Sequence, residues 1–185
     1  MYSLRELSRS DLPEINSWRA NRDLIDGLGA PFRYIDLAID ERWYESYLSE
    51  RANSVRCVVS DGKAADSPLA LVTLAAIDWV SRVCELHIMV APEWQGRGVG
   101  TYAVEAMLRH AFLDLGLRRV ELSVLADNVR ARALYAKVGF KEEGIKRDAR
   151  YKNGSYHDLH IMALLKEDWR NSFMSDNISG PLAEE

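Results

Sequence analysis

The stretch Glu85-Leu86-His87-Ile88-Met89-Val90-Ala91-Pro92-Glu93-Trp94-Gln95-Gly96-Arg97-Gly98-Val99-Gly100-Thr101 decides the fold. Leu86, Ile88 and Val90 alternate as in a strand, the alternation breaks at Ala91 and Pro92, and a helical pattern begins after Gly100. Glycines at alternate positions, Gly96, Gly98 and Gly100, leave no Cβ in the way of a ligand. The first turn of the following helix aims its unpaired N–H groups at the same space. The result is an anion cradle, to which Arg97 adds a positive charge.

Spacing narrows the anion. A Walker loop needs Lys followed by Ser or Thr after its last glycine, and Val99-Gly100-Thr101 offers no lysine. A dinucleotide fingerprint fits Gly96 and Gly98 but meets Thr101 at its third glycine, and the loop lies mid-chain rather than after a first strand. What remains is Gln-x-x-Gly-x-Gly on Gln95, Gly98 and Gly100. Downstream, Val120, Leu122 and Val124 form another strand pattern. Asn128, Ala131 and Tyr135 follow at spacings of three and four, which put them on one helix face. Asn128 is suited to cap that helix and Gly139 to end it.

Together these motifs resemble the pyrophosphate loop and the Asn-x-x-Ala-x-x-x-Tyr-x-x-x-Gly-Phe segment of the GNAT superfamily of N-acetyltransferases, which use acetyl-coenzyme A. Similarity extends from about Tyr2 to Trp169. Trp18-Arg19-Ala20-Asn21, Glu143-Gly144 and Asn153-Gly154-Ser155-Tyr156-His157-Asp158 look most like the branch that holds diamine and spermidine acetyltransferases and ribosomal-protein alanine acetyltransferases. The resemblance implies that Gln95, Gly96, Arg97, Gly98, Val99, Gly100 and Thr101 bind the pyrophosphate. It implies that the main chain of Met89 and Val90 pairs with the pantetheine arm, that Asn128 and Ala131 lie along that arm, and that Tyr135 reaches the thioester sulfur. Arg130 and Arg132 suit the phosphates or a solvated helix face, and Trp79 either walls the cleft or packs.

The order of elements is β-α-α-β-β-β-α-β-α-β-β, a mixed α/β (α+β) pattern that matches the GNAT fold: a mostly antiparallel twisted sheet of about seven strands flanked by about four helices. Ser10 or Asp11 is placed to cap a first helix carrying Leu12, Ile15 and Trp18, and a second helix is expected over residues 40–50. Residues 23–36, with Gly27, Gly29 and Pro31, read as an irregular acceptor lip. Residues 140–147 and 156–165 read as a closing hairpin around Lys152-Asn153-Gly154-Ser155. Residues 1–170 are expected to form one domain, and residues 171–185, which lack periodicity, a disordered tail.

Composition excludes other classes. With 24 basic against 28 acidic residues the formal charge is −4, which does not favour non-specific attachment to nucleic acid or to an anionic membrane. Cys57 and Cys84 lie in apolar strand patterns and read as reduced core thiols. Met1-Tyr2-Ser3-Leu4-Arg5 lacks the apolar run of a signal peptide, so a cytoplasmic location is the expectation. His110 and His157-Asp158-Leu159-His160 lack the spacing of a zinc site, and no metal is expected.

Direct transfer from the thioester requires a neutral amine, and alkylamines have a pKa of about 10.4, so a base or water chain must take a proton. Tyr135 is the candidate donor to the departing thiolate, with a packing role as its alternative. On the strand, Glu85 and His87 share a face and are the candidate base and cation-attracting pair. The alternatives are an arginine partner for Glu85 and a satisfied core position for His87. Asp148, Tyr151 and Asp158 are further candidates for the acceptor wall. The expected acceptor is a small amine of polyamine type or a protein N-terminal amine, with an amino sugar or amino acid also open. The lip carries few carboxylates, which departs from the acidic lip of spermidine enzymes. A catalytically silent acyl-CoA-binding module, acting as sensor or scaffold, is the alternative to an enzyme, and a homo-oligomer (dimer or larger) is compatible with the family.

Overall fold

The computed structural model describes residues 1–62 and 67–171. Its strands form one seven-stranded sheet in the order β1-β2-β3-β4-β5-β7-β6. They are β1 (Ser3–Glu6), β2 (Val55–Ser60), β3 (Ala70–Asp78), β4 (Val83–Val90), β5 (Arg119–Leu125), β6 (Lys141–Lys152) and β7 (Ser155–Leu165). All neighbours are antiparallel except β4 and β5, which run parallel. The labelled helices are α1 (Leu12–Ala20), α2 (Arg22–Asp26), α3 (Leu37–Ser49), α4 (Val99–Arg109) and α5 (Val129–Val138), with shorter helical turns between elements. The tail expected over residues 171–185 lies outside the described residues except for Asn171, which closes a helical stretch over residues 166–171. Trp169 in that stretch packs on Phe112 with ring centroids 5.4 Å apart.

Alternation along β4 sorts its side chains between two cores. Cys84 and Leu86 join Val72, Leu74, Val120 and Leu122 beneath α4, whose Val99, Ala103, Val104, Met107 and Leu108 recur at helical spacing and are buried. Met89 faces the other way, into a cluster with Ile15 and Trp18 of α1, Leu24 and Ile25 of α2, and Leu71 of β3. Glu85 and His87 have the parity of Met89, and both are exposed, so this end of the sheet face is left uncovered. Cys57 and Cys84 are free thiols, and burial pushes them up to about 11 and about 12.

Several boundaries depart from the sequence reading, among them that of the closing hairpin, whose first strand runs to Lys152 rather than ending at residue 147. The lip, expected to be irregular over residues 23–36, opens with α2, capped by Asn21, whose Oδ1 accepts from Leu24 N at 3.0 Å. Helix α3 begins at Leu37 rather than residue 40, because Asp36 Oδ1 accepts from Ile39 N at 3.1 Å. Asp11 stands at the start of α1 without a side-chain cap bond. Burial opposes its charge, but the Arg5 fork at 2.8 Å on each oxygen and the N–H of Ser8 prevail and hold the carboxyl below its ordinary range.

The lip is fastened to the sheet through its backbone. Lys152, only 6% exposed at the end of β6, donates from Nζ to the carbonyls of Ile25 at 2.6 Å, Asp26 at 3.0 Å and Leu28. Asn128 Nδ2 donates to Gly27 O at 2.6 Å, and Arg150 Nε to Gly29 O at 3.1 Å. Consecutive carbonyls from Ile25 to Gly29 are therefore all caught by side chains from β6 and from the start of α5. Burial lowers the Lys152 pKa, and the three carbonyls satisfy the three donors of its ammonium. Replacing it with Met keeps the stem and strands those carbonyls. Lys152→Met should cost about 2–4 kcal/mol in urea unfolding. A loss below about 0.5 kcal/mol would show that the lip does not depend on this clamp.

Candidate active site

The parallel pairing of β4 with β5 is short. Val83 faces Arg119, Cys84 faces Val120 and Glu85 faces Glu121, and there the ladder ends. Strand β4 continues to Val90, held on its outer side by β3 as far as the Ala70–Val90 pair. Strand β5 continues to Leu125, held by β7 as far as the Leu125–Leu159 pair. Each strand keeps one neighbour while their facing edges part. Backbone groups of residues 86–90 that point toward β5 have no ladder partner there, which makes this edge a template for an extended ligand with amide groups of its own.

At the mouth of this parting stands the glycine loop. Gly98 caps α4 with φ +83°, a left-handed conformation that disfavours any side chain, and the space its Cβ would enter is open to 4 Å. The first intrahelical bond runs from Tyr102 N to Gly98 O at 3.0 Å, so the N–H groups of Val99, Gly100 and Thr101 precede it and remain available to an anion. Gly100 has a different role. A Cβ there would lie 3.1 Å from Leu134 Cδ1, so this glycine lets α4 approach α5. Gln95 ties the parts together, donating to Val90 O at 3.3 Å and accepting from Arg130 Nη1 at 3.1 Å. Arg97 lies over the Trp94 ring, 5.2 Å from its centroid, and Tyr2 donates to its carbonyl at 3.0 Å. Arg130 thus lies at the loop, whereas Arg132 is engaged with Ala126 O at 3.3 Å and Glu142 at 3.7 Å. Trp79 is placed elsewhere, half exposed and donating to Ala52 O at 2.8 Å.

Asn128 caps α5 through Oδ1, which accepts from Ala131 N at 3.0 Å, while its Nδ2 holds Gly27 of the lip. Tyr135, two turns on, is 7% exposed with its ring at 5.8 Å from that of Phe140. Its hydroxyl has no hydrogen-bond partner among the described residues, and burial pushes it up to about 12, so it stays protonated at neutral pH. On β4, Glu85 Oε2 lies 3.4 Å from His87 Nε2, and each side chain is more than half exposed. Neither the arginine partner nor the core position is found. Opposite Glu85 on β5 is Glu121, bridged to Arg119 at 3.1 Å, with Glu143 on the same guanidinium. Asp148 and Asp158 are joined to each other, Asp148 N donating to Asp158 Oδ1 at 2.8 Å, and Tyr151 stacks edge-on against Tyr156 on the exposed hairpin.

Sequence reasoning missed Lys152, Arg150 and Glu121. Parity on β5 was available for Glu121; for the two basic residues there was no signal, since a lysine beside an Asn-Gly turn reads as solvated. Among the described residues no group of His, Cys, Asp and Glu is arranged to hold a metal ion, and no helix is long and apolar enough to cross a membrane.

Known proteins share this fold. The family model for the acetyltransferase (GNAT) domain matches residues 3–141. Spermidine N(1)-acetyltransferase of Vibrio cholerae is 32% identical over 170 residues, covering 91% of this chain and 95% of that protein. The crystal structure of the Vibrio cholerae enzyme in complex with CoA and spermine superposes with a TM-score of 0.84 at 30% identity, covering 92% of this chain and 98% of that one. A dodecameric structure of the same enzyme gives a TM-score of 0.79. A shorter match, 29% identical over 86 residues, links the chain to the ribosomal protein uS5 alanine N-acetyltransferase of Escherichia coli. With the parted strands, the glycine loop and the family match in place, the chain belongs to the GNAT family and is an acetyl-CoA-dependent N-acetyltransferase.

Proposed function

We propose that the acceptor is a small primary amine carrying further positive charge, of the diamine or polyamine class, and that it enters over the exposed face of β4. The observation that carries this reading is the side-by-side placement of Glu85 and His87 at the point where β4 and β5 part, with Glu121 across the ladder. The Glu85 carboxylate on this uncovered sheet face attracts a cation, and an imidazole at 3.4 Å from it is placed to relay a proton, while Glu121 is already bridged to Arg119. The similarity to a spermidine acetyltransferase over most of both chains supports the same class.

Acetyl-CoA supplies the activated acetyl group, and the residues of this chain fit it. The N–H groups of Val99, Gly100 and Thr101, with Gln95, Gly96, Arg97 and Gly98, are assigned to its pyrophosphate, and the free edge of Met89 and Val90 to the pantetheine amides. Asn128 and Ala131 line the side of α5 nearest that arm. In the transfer, a C–N bond forms as the C–S bond breaks, one proton leaves the amine nitrogen and one reaches the sulfur. His87, with Glu85 stabilising the charge it gains, takes the first proton directly or through water. The Tyr135 hydroxyl, held in its neutral form by burial, provides the second. Homo-oligomeric assembly is part of the reading, supported by the dodecameric relative.

The cradle assignment has a direct test. Gly98→Glu places a side chain in a left-handed position and a negative charge where the pyrophosphate is assigned, and calorimetry should show acetyl-CoA binding weakened at least about tenfold. Equal affinity in both proteins would remove the loop from the cofactor site.

Tyr135→Phe deletes only the hydroxyl and should lower kcat about ten- to a thousand-fold with little change in acetyl-CoA affinity. Because the tyrosine is needed protonated and its pKa lies at about 12, the wild-type rate should rise with pH through deprotonation of the amine or base and show no fall from tyrosine ionisation below that value. Unchanged turnover in the Phe variant would return Tyr135 to packing.

Glu85→Gln should raise KM for a cationic amine about three- to tenfold while leaving that for acetyl-CoA nearly constant, the signature of a charge that meets the acceptor and its proton relay but not the cofactor. Thiol release measured with a panel of diamines, monoamines and a peptide bearing an N-terminal alanine checks the substrate class. A panel in which only the peptide is acetylated would replace the polyamine reading with a protein substrate.

A further inference from the structure

A polar cleft of about 210 Å³ is walled by the turn that leaves β5 (Asp127, Asn128), by the lip and by the β6–β7 hairpin (Asn153, His157). Three side chains at this cleft stand in line: a carboxylate, an imidazole and a hydroxyl. Asp127 Oδ2 lies 2.8 Å from His157 Nδ1, and His157 Nε2 lies 2.9 Å from Ser155 Oγ. A carboxylate only accepts, so the proton of the neutral imidazole sits on Nδ1. Nε2 is then the acceptor, and the Ser155 hydroxyl donates to it. In this order an acid orients a base, and the base withdraws the proton of a nucleophile.

Local structure sets the alignment. Ser155 and His157 are two residues apart on β7 and so share a face of the sheet. Ser155 is paired with Lys152, where the chain reverses through Asn153 and Gly154, both with positive φ, +49° and +86°. Asp127 is fixed by the backbone on each side of it: Ala126 N donates to Asp158 O at 3.0 Å, and Asn128 N to Leu125 O at 3.0 Å. Ser155 is exposed, so its hydroxyl is open to an incoming carbonyl. Asn153, on the cleft wall, brings a side-chain amide, a donor of the kind that a developing oxyanion needs. The small cleft suits an acetyl-sized group rather than a long acyl chain. None of these side chains takes part in the transfer assigned above.

We infer that Ser155, His157 and Asp127 form an acyl-hydrolase centre, separate from the transfer site at the β4–β5 parting, that cleaves short-chain acyl esters or thioesters. Ser155 Oγ bonds to the acyl carbon as the C–O or C–S bond of the substrate breaks, and its proton passes to His157 Nε2 and on to the leaving alkoxide or thiolate. Water then attacks the acyl-serine and gives a proton to Nε2. The bond from Oγ to the acyl carbon breaks, that proton returns to Oγ, and a carboxylic acid leaves. No amine takes part, so the inference does not depend on the acceptor reading.

The test follows hydrolysis without amine, using p-nitrophenyl acetate and acetyl-CoA in separate assays, for wild type, Ser155→Ala, His157→Gln and Asp127→Asn. A fluorophosphonate probe and peptide mass spectrometry locate the nucleophile in the wild type alone, so that readout is independent of how any variant folds. At least one substrate should be hydrolysed and the adduct should fall on Ser155. Ser155→Ala and His157→Gln should each lose about tenfold or more in kcat/KM. Asp127→Asn should lose several-fold only, because its carboxylate is 75% exposed and screened. Calorimetry should show the affinity of Ser155→Ala for CoA unchanged. Turnover of the ester alone places the substrate among free esters, and turnover of acetyl-CoA places a thioester in the cleft. Hydrolysis no faster than in buffer, an adduct on another residue, or a rate undiminished in Ser155→Ala would overturn the centre and leave amine acetylation standing.

Discussion

The account depends on a hydrogen-bond ladder that stops. Three residue pairs hold β4 to β5, and beyond Glu85 and Glu121 the strands separate while β3 and β7 keep each of them fixed from outside. A sheet that closed fully would have no place for a ligand, and one that parted without outer support would lose both edges to solvent or to aggregation. Everything else about the site follows from that geometry. The parted edge of β4 leads into the glycine loop, the parted end of β5 leads into the Asn128 cap, and the two helices that follow are brought together at Gly100 and Leu134.

A second constraint couples the halves of the site. Asn128 is at once the cap of α5, on the side proposed for the cofactor, and the donor to Gly27 of the lip, on the side proposed for the acceptor. With Lys152 and Arg150 it fixes the lip by main-chain carbonyls, so the lip's exposed side chains are free to vary with the acceptor while Leu24 and Ile25 stay anchored in the core. A family that shares a donor and varies its acceptor places specificity on such a segment.

Local signals in the sequence were enough for the parts of the site built from neighbours in the chain. The Gly96-Arg97-Gly98 turn and the Asn128, Ala131, Tyr135 face are set by spacings of a few residues, and the structure puts the cap bond and the left-handed glycine where those spacings imply. The sheet class was equally legible from alternation in β4 and β5. What was not legible rests on contacts between residues far apart. Helix α2 has five residues, too few to be stable alone, and exists because its C-terminal carbonyls meet Lys152, more than a hundred residues away. Nothing local distinguishes that lysine from a solvated one. His157 and Asp127 meet across 30 positions, whereas the early start of α3 was a miss with a local cue, Asp36 three residues before Ile39, as was the cap of α2, Asn21 three residues before Leu24.

Hydrogen–deuterium exchange on the full chain, with and without acetyl-CoA, tests the central claim directly, because it reads the backbone amides that the parting leaves unpaired. Slowed exchange in residues 86–90 and 98–101 on binding is the expected result, with the β2–β3 amides unchanged. Saturating acetyl-CoA that leaves residues 86–90 exchanging as in the free protein would contradict it, for the cofactor would then lie somewhere other than between β4 and β5.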